Sequence, residues 1–240
     1  MCFHISSTAS TQAKKNNNKP QFKDYYHVSG FAHPKLGIEM NKEITSSNWG
    51  LIPHWIKNES DALNIRSKTL NARIETIHEK PSFRDAQLNR GILHVDGYFE
   101  FKYENNKNLP HYIYQDYPIG LGIIISEWTN TETGEVLSTF SVVTKKASNI
   151  LKKIHNNPNL KEPRSPLFIN LNNKDKWLYD NDHNHLKNIS GEIERTLKFH
   201  EVNKLSGKSY VGNNPNVIEP AESQLCLLYT SPSPRDETKS

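Results

Sequence analysis

Four strand-like segments follow one another between residues 91 and 147, and they limit the possible folds more than any other part of the chain. They read GILHVDGYFEFKY, HYIYQ, IGLGIIISEWT and STFSVVTKKA, and each is dominated by apolar, aromatic or β-branched residues. The polar, glycine-containing segment TETGE separates the last two and predicts a hairpin turn. This succession of neighbouring strands predicts an antiparallel sheet.

The composition is compatible with one domain built around such a sheet. The chain has 240 residues, of which 35% are hydrophobic, enough for a single core. A net charge of +4 is a mild basic bias, compatible with a polyanionic partner but insufficient to identify one. No apolar run reaches the roughly 18 residues of a membrane span. The opening MCFHISSTAS has no secretory pattern and there are only two cysteines, so we expect a cytoplasmic protein.

Cys2 follows the initiator methionine and carries the most distinctive chemistry available to the chain. If Met1 is removed, Cys2 presents an α-amine and a thiol on adjacent carbons. Such an amine condenses with an aldehyde to an imine, and the thiol then closes a five-membered thiazolidine ring. An α-amine has a pKa of about 7.7–8.0, so part of it is neutral at cellular pH. Because a cysteine at position 2 is a weak signal alone, other residues must decide its role.

Two further segments carry polar residues in positions suited to a site. In TLNARIET, Asn71, Arg73 and Glu75 alternate, so an extended segment would place them on one face. Glu100 stands between Phe99 and Phe101 in a strand, and burial among rings would favour its neutral, proton-carrying form. The alternative for each segment is an ordinary solvent-facing position.

Local signals predict two helices and an aromatic cluster. Pro81 and Gly91 fit the start and end of one helix, and a second helix over residues 150–155 would end at His155. In NWGLIPHW, Trp49 and Trp55 indicate either a core cluster or a platform on which bases stack. His27 and His33 lie among turn residues, and we interpret them as surface histidines.

The end of the chain is expected to be foreign to the protein. Residues 226–236 read CLLYTSPSPRD, which back-translates to a common transposase sequencing adapter. We therefore expect residues 226–240 to be an assembly artefact and disordered, and residues 1–225 to form the single domain. A natural Ser/Pro-rich tail is the alternative. Cys2 is then the only genuine cysteine.

Taken in order, Cys2, WGLIPHW, LNARIET with KPSFR, DGYFEF, IHN followed by RSP, and VIEP resemble the SOS-response-associated peptidase (SRAP) family. These are abasic-site processing proteins that sense damage in single-stranded DNA. The likeness spans nearly all of residues 2–220, and an ordered series of motifs is far more specific than any one of them. The resemblance implies an α+β single domain with a curved, largely antiparallel, barrel-like sheet flanked by helices.

The resemblance also implies a mechanism. Family members lose Met1 and use the new N-terminal cysteine to trap the ring-opened aldehyde of an abasic site as a stable thiazolidine. The catalytic set would be Cys2, Asn71, Glu100 and His155. The expected DNA contacts are Arg73, Arg84, Arg164, Trp49 and Phe101, with Arg73 and Arg164 on phosphates. The resemblance implies no metal and no organic cofactor. It implies a monomer acting on single-stranded DNA, without a membrane partner and associated with the nucleoid during DNA damage.

The chain departs from the family pattern at several places. RSP replaces RMP, Phe101 replaces a tryptophan, and Phe3 stands where many relatives have glycine. Eight residues, NNPNLKEP, separate His155 from Arg164, more than in compact members.

Two other classes of function stay open at the level of the sequence. One is a cysteine peptidase with Cys2 as nucleophile and His155 as base, whose proteolysis is limited to removing its own Met1. The other is a non-catalytic module that binds single strands through Trp49, Trp55 and Phe101. A covalent, heat-stable adduct with abasic DNA would distinguish an abasic-site processing protein from both of these classes.

Overall fold

A computed structural model describes residues 2–12, 22–180 and 191–221 of the chain. Its strands are β1 (His4–Ser7), β2 (Tyr25–Ser29), β3 (Lys35–Met40), β4 (Glu43–Trp49), β5 (Asn71–Arg73), β6 (Arg90–Glu104), β7 (Lys107–Thr129), β8 (Val136–Lys146), β9 (Arg164–Pro166), β10 (Phe168–Ile169) and β11 (Lys198–Glu201). The α-helices are α1 (Ala9–Gln12), α2 (Glu59–Arg66), α3 (Asp175–Tyr179) and α4 (Gly191–Glu194), and 3-10 turns span Gly30–Ala32, Leu151–Lys153, Leu171–Asn173 and Pro215–Ile218. The expected tail, residues 226–240, lies outside the described residues. In the described part of the chain, no helix is long and apolar enough to cross a membrane.

The sheet closes into a five-stranded barrel because β7 pairs with a neighbour on each edge. From β7 the pairing runs through β8, β4, β3 and β6, and β6 returns to β7. Strand β1 extends the sheet from the second half of β6 and in turn pairs with β2. The barrel-like sheet expected from the sequence is therefore confirmed.

The predicted antiparallel hairpin is also confirmed, although its strands are longer than the sequence segments. HYIYQ and IGLGIIISEWT belong to one 23-residue strand, β7, which turns through residues 130–135 into β8. Gly134 takes a positive φ of 73° in this turn, a conformation that glycine adopts without strain. The sequence did not predict the two parallel pairings, in which β4 and β5 each align with β8.

Two apolar clusters cover the faces of the barrel. One takes Ile38, Trp49, Leu93, Leu121 and Phe140 from the five ring strands, so it fills the interior. The other consists of side chains that point outward from the same strands, and it lies beneath the indole of Trp177 in α3. Such alternation is the pattern of a strand with two buried faces. Trp49 is fully buried, which confirms the core interpretation of NWGLIPHW for this residue.

Three local predictions were wrong. Residues 81–89 form successive single turns instead of a helix, and Gly91 lies inside β6. The segment before His155 contains a short 3-10 turn where an α-helix was predicted. His27 is buried on β2 and is not a surface histidine, because its ring bonds to His4 and Tyr210.

Candidate active site around Cys2

Cys2 is held in place by the strand that follows it. Strand β1 lies between β2 and β6, with His4 opposite Phe99 and Ile5 opposite Tyr98. The Gly30 amide donates to the Phe3 carbonyl at 2.7 Å and ties the chain immediately after Cys2. Cys2 itself is 0% exposed and belongs to the cluster that fills the barrel. The start of the chain is therefore a fixed part of the fold.

Asn71 contacts Cys2 directly. Its strand β5 aligns with β8 through the pair Asn71 and Val142. The Asn71 Nδ2 donates to the Cys2 carbonyl oxygen at 2.9 Å. Its Oδ1 is buried and has no hydrogen-bond partner among the described residues. A buried acceptor without a partner costs roughly 1–3 kcal/mol, so this oxygen is an acceptor that the fold maintains at a cost.

Glu100 and His155 form a second pair beside Cys2. Glu100 Oε1 accepts from the Phe101 amide at 3.0 Å, and Oε2 lies 3.4 Å from His155 Nδ1. The same Nδ1 is 2.7 Å from the Arg164 carbonyl oxygen and 3.2 Å from the Arg164 amide nitrogen, so the backbone of Arg164 fixes the orientation of the ring. Because Glu100 is buried, the interpretation of this residue as solvent-facing was wrong.

The environment of the Cys2 thiol keeps it protonated in the chain that retains Met1. Burial raises the pKa of the Cys2 thiol to about 12, and the nearby Glu100 charge adds to the rise. The same coupling shows that Glu100 and Cys2 share one local electrostatic environment. A thiol in this state is not a thiolate nucleophile at neutral pH.

A cationic groove begins at Asn71. It has a volume of about 710 Å³ and runs between α2 and the turns of residues 74–89. Arg73 is exposed beside Asn71, and two lysines, Lys68 and Lys80, also line the groove. Trp55, which is 45% exposed, and Phe83 supply its aromatic surface. The groove thus combines positive charge with exposed rings, next to the Cys2 contact.

The structure places Arg164 differently from the expectation of a phosphate contact. Its side chain is 2% exposed, and Nη2 donates to Glu75 Oε2 at 2.6 Å. Nη1 donates to Glu162 at 2.9 Å, and Nη2 also donates to the Thr144 carbonyl at 2.8 Å. A guanidinium occupied in this way braces the segment that holds His155, and it offers little to a ligand.

The other expected DNA contacts fall into two groups. Trp49 has no exposed face, since its indole is fully buried and donates to the Leu70 carbonyl at 2.9 Å. It therefore cannot be a stacking platform in this fold, and that expectation is corrected. Phe101 is half-buried with its ring edge-on to His4, and Arg84 is exposed, with Nε 3.6 Å from Asp85. Both remain accessible.

Sequence reasoning missed a buried ion pair near the site. Lys145 Nζ lies 3.1 Å from Glu194 Oε1, and both side chains are largely shielded from water. Burial first, and then the charges of Glu100, Cys2 and Glu194, raise the pKa of Tyr98 well above its usual value. No local signal identifies this pair, because 48 intervening residues separate the lysine from the glutamate.

The fold and the site together define a class of β-barrel proteins with a buried cysteine at position 2, an amide on its carbonyl and a Glu–His pair beside it. The chain belongs to the SOS response associated peptidase (SRAP) family, whose family model matches residues 1–209. The match covers every residue of the proposed catalytic set.

The names of similar proteins agree with this family, and two solved structures are similar in fold. "Abasic site processing protein YoqW" of Bacillus subtilis (strain 168) is 29% identical over 207 residues, which cover 81% of this chain and 87% of that protein. "Abasic site processing protein HMCES" of Xenopus tropicalis is 28% identical over 161 residues, 58% of this chain and 48% of that protein. A crystal structure of a Bacteroides thetaiotaomicron protein superposes with a TM-score of 0.79 at 28% identity, covering 92% of this chain and all of the other. One from Bordetella bronchiseptica, with a TM-score of 0.69 at 19% identity over 84% of this chain and 99% of the other, shows the fold alone.

Proposed function

We propose that this chain captures abasic sites in single-stranded DNA as a covalent thiazolidine on Cys2, after removal of Met1. The observation that carries the proposal is the 2.9 Å hydrogen bond from Asn71 to the Cys2 carbonyl, with the unpartnered Asn71 Oδ1 beside it. The hydrogen bond restricts rotation about the backbone of Cys2, and the free acceptor can receive an N–H of the new α-amine. Two relatives are named abasic site processing proteins, which supports abasic DNA as the substrate.

The chemistry balances without any further reactant. The Cys2 amine adds to the sugar aldehyde to form a carbinolamine, which loses water to give an iminium ion. The thiol sulfur then adds to the iminium carbon, the thiol proton leaves to a nearby base, and the ring closes. One water is the only product besides the thiazolidine. Because the thiol enters as S–H, its high pKa in the buried site requires a proton acceptor within reach.

Glu100 and His155 are the groups we assign to proton transfer. Glu100 delivers a proton to the departing hydroxyl of the carbinolamine and receives the thiol proton when the ring closes. His155 donates a proton from Nε2 to the sugar ring oxygen while the anomeric hydroxyl loses its proton to solvent, which opens the cyclic hemiacetal to the aldehyde. The 3.4 Å contact between Glu100 and His155 couples the two groups. The Arg164 carbonyl orients the imidazole for this role.

The cationic groove beside Asn71 supplies binding that does not depend on base sequence. Arg73, Lys68 and Lys80 would contact phosphates, and Trp55 and Phe83 would stack on bases. Arg84 and Phe101 are the remaining accessible candidates for DNA contact. Recognition of the lesion itself would come from the chemistry, because only an abasic site offers an aldehyde.

A denaturing gel tests the proposal. The protein lacking Met1 is incubated with a single strand carrying one abasic site, and we expect a heat-stable band of the protein–DNA adduct. Cys2→Ala should give no band, and Cys2→Ser at most a labile imine that needs reduction to persist. A chain with an uncleaved N-terminal tag should also fail, because its Cys2 nitrogen is an amide. A stable band with Cys2→Ala would refute the mechanism.

The family description also contains the word peptidase, and we limit that activity to the removal of Met1. A thiol that is protonated at neutral pH is poorly suited to act as the thiolate nucleophile of a peptidase on external peptides. The intact mass of the purified protein tests this point in a host that lacks methionine aminopeptidase activity. Loss of one methionine in the wild type and its retention in Cys2→Ala would support self-processing. Cleavage of a peptide panel by the protein lacking Met1 would contradict the limit.

A further inference from the structure

A buried ion pair lies near the end of the barrel that holds the site. Lys145, in the last turn of residues of β8, places Nζ 3.1 Å from Oε1 of Glu194 in α4, and the two side chains are only 16% and 4% exposed. A buried ion pair is often no more stable than an apolar pair of similar volume, because both charges must leave water. Stability alone therefore does not account for two charges at this position, and the proposed reaction gives neither residue a role.

The first connection between the pair and the site runs through Tyr98. Tyr98 and Glu100 are two positions apart on β6, so their side chains share one face of the strand. Helix α4 packs against β10, and the Phe168 ring of β10 lies 5.9 Å from the Tyr98 ring. The pKa of Tyr98 is raised by burial and, after burial, by the charges of Glu100, Cys2 and Glu194. The carboxylate of the pair therefore faces the same interior space as Glu100.

The second connection runs along β9. Lys145 lies opposite Ser165 in the ladder between β8 and β9, and the residue before Ser165 is Arg164. The backbone of Arg164 holds the His155 ring at 2.7 Å and 3.2 Å, and Nδ1 of that ring lies 3.4 Å from Glu100 Oε2. Two separate series of contacts, one from each member of the ion pair, thus lead to the same carboxyl group.

Glu100 has ionisable neighbours on every element packed against it. They are Cys2 before β1, Tyr98 and Lys102 on β6, His111 opposite on β7 and His155 before β9. Lys102 is engaged by Glu104 at 2.9 Å, and Tyr98 stays neutral because its pKa is raised well above the usual value. Cys2 and His155 exchange protons in the proposed reaction. The Lys145–Glu194 pair takes no part in these transfers, so its two charges would act on Glu100 as a constant field.

We propose that Lys145 and Glu194 are positioning residues of the capture reaction, which together set how readily Glu100 keeps its proton. The Glu194 carboxylate disfavours a second negative charge on Glu100, so Glu100 retains the proton that it delivers to the carbinolamine. Lys145 keeps Glu194 ionised inside the barrel and limits the strength of its effect. Both residues act through Glu100 and touch no substrate. This inference rests on the proposed function, from which the role of Glu100 in proton transfer comes.

The titration of Glu100 tests the proposal directly. Carbon-13 NMR of labelled glutamate side chains follows it, and the Glu100 carboxyl signal is identified by its absence in Glu100→Gln. Glu194→Gln leaves an unpaired cation and should move the titration midpoint of Glu100 to lower pH by about one unit. One unit charge produces such a shift at about 12 Å with an effective dielectric constant of about 20. Lys145→Met leaves an unpaired anion and should move the midpoint to higher pH, and the double variant should restore it.

The rate of adduct formation should follow the same shifts. The pH profile of single-turnover crosslinking should move in opposite directions in the two single variants and coincide with the wild type in the double variant. Affinity for a strand with a tetrahydrofuran abasic analogue, which cannot react with Cys2, should stay unchanged. Lys145→Arg keeps the charge and should keep the wild-type profile. Asp116→Asn is the matched control, because it removes the anion of an exposed ion pair, 2.6 Å from Lys198, and should shift nothing.

The outcomes distinguish this inference from the proposed function. Two single variants are used so that the test survives the loss of fold in either one. Wild-type crosslinking, together with an unmoved Glu100 midpoint in a folded single variant, would overturn the role of the ion pair alone. Slower crosslinking without any displacement of the pH profile would also overturn it, since the pair would then only support the fold. Failure of the wild type to crosslink, with the Glu100 midpoint displaced in both directions, would refute the proposed chemistry and leave the electrostatic coupling standing.

Discussion

Glu100 lies beside both groups whose protons move in the proposed capture, Cys2 and His155. Its charge acts on the Cys2 thiol, and its Oε2 lies 3.4 Å from the His155 ring. The next residue along β6, Phe101, donates its amide to the other carboxyl oxygen at 3.0 Å and fixes the carboxyl plane. A carboxyl held in this way can exchange a proton with either neighbour without moving.

Glu100→Gln should therefore slow adduct formation while leaving DNA binding intact. Glutamine keeps the shape of the side chain but cannot exchange a proton, and loss of a general acid–base group costs about 10²–10⁴-fold in rate. Single-turnover crosslinking between about pH 5 and pH 9 measures the effect, with affinity for the tetrahydrofuran analogue as the second readout.

Asn71→Ala is the matched control for Glu100→Gln. It removes the hydrogen bond to the Cys2 carbonyl and should slow capture by misplacing Cys2, with the shape of the pH profile retained. If Glu100→Gln has the rate and pH profile of the wild type, Glu100 is an ordinary strand residue.

Arg164 is a structural residue by its contacts, and we expect its loss to destabilise the fold. Arg164→Met leaves the partly buried Glu75 carboxylate without its cation. Removing one partner of a fully buried ion pair costs about 3–5 kcal/mol, and we expect a smaller loss here because Glu75 retains access to water. Urea unfolding measures this. The double variant Arg164→Met, Glu75→Gln should recover part of the loss, because no unpaired charge remains. A fully stable single variant whose DNA binding has lost salt dependence would instead restore the phosphate role.

At the scale of elements, a short histidine relay joins three parts of the chain that are distant in sequence. His4 on β1 lies 3.0 Å from His27 on β2, measured from Nδ1 to Nε2. His27 Nδ1 lies 2.7 Å from the Tyr210 hydroxyl, in the segment that follows β11. Burial, followed by the proximity of His4, lowers the pKa of His27 to about 4. The relay therefore requires a neutral His27.

This requirement predicts a loss of stability in mild acid. The unfolded chain binds a proton at His27 near pH 6.5, at about the ordinary pKa, whereas the folded protein excludes that proton down to about pH 4. The contribution of neutral His27 to the free energy of unfolding is fully present above about pH 6.5. It is lost as the pH falls toward 4, by up to about 3 kcal/mol. His27→Gln keeps hydrogen-bonding capacity without titrating, so its urea midpoint should vary less with pH over this interval. Parallel curves for the two proteins would contradict the assignment.

At the scale of the whole molecule, the sequence predicted features that depend on short local motifs. It did not predict contacts between residues that are distant along the chain. Cys2, Asn71, Glu100 and His155 could be named from the sequence because each lies in a distinctive short motif. The structure places Asn71 and Glu100 beside Cys2 and His155 beside Glu100, and their catalytic roles stay a prediction. The buried pairing of Arg164 with Glu75 spans 89 positions, and no local pattern reports such a contact.

Gly91 shows the same limit within the fold. Its signal fitted a helix end, yet the residue serves strand packing, since a Cβ there would lie 2.8 Å from the Glu39 carbonyl. Tertiary contact overrode the local preference.

The end of the chain offers a prediction at this scale. Removing residues 226–240 should leave thermal stability and crosslinking unchanged, as expected of a foreign tail. Removing residues 215–240 should destabilise the protein by about 2 kcal/mol or more, because Val217 is buried and the Ala221 amide donates to the Glu201 carbonyl at 2.9 Å. Thermal melts of the two truncations measure the contrast. A stability loss in the shorter deletion would show that the tail belongs to the protein.

The position of β1 has a consequence for the order of events during synthesis. Strand β1 pairs with β6, where His4 lies opposite Phe99. Nearly a hundred residues must therefore leave the ribosome before β1 can pair with β6. At about 5–20 residues per second, the amino terminus stays open for roughly 5–20 s. Processing enzymes that act on nascent chains have their best access to Met1 in that interval. Access of such enzymes to Met1 ends once β6 has paired with β1, so removal of Met1 after that point would depend on the self-processing proposed above.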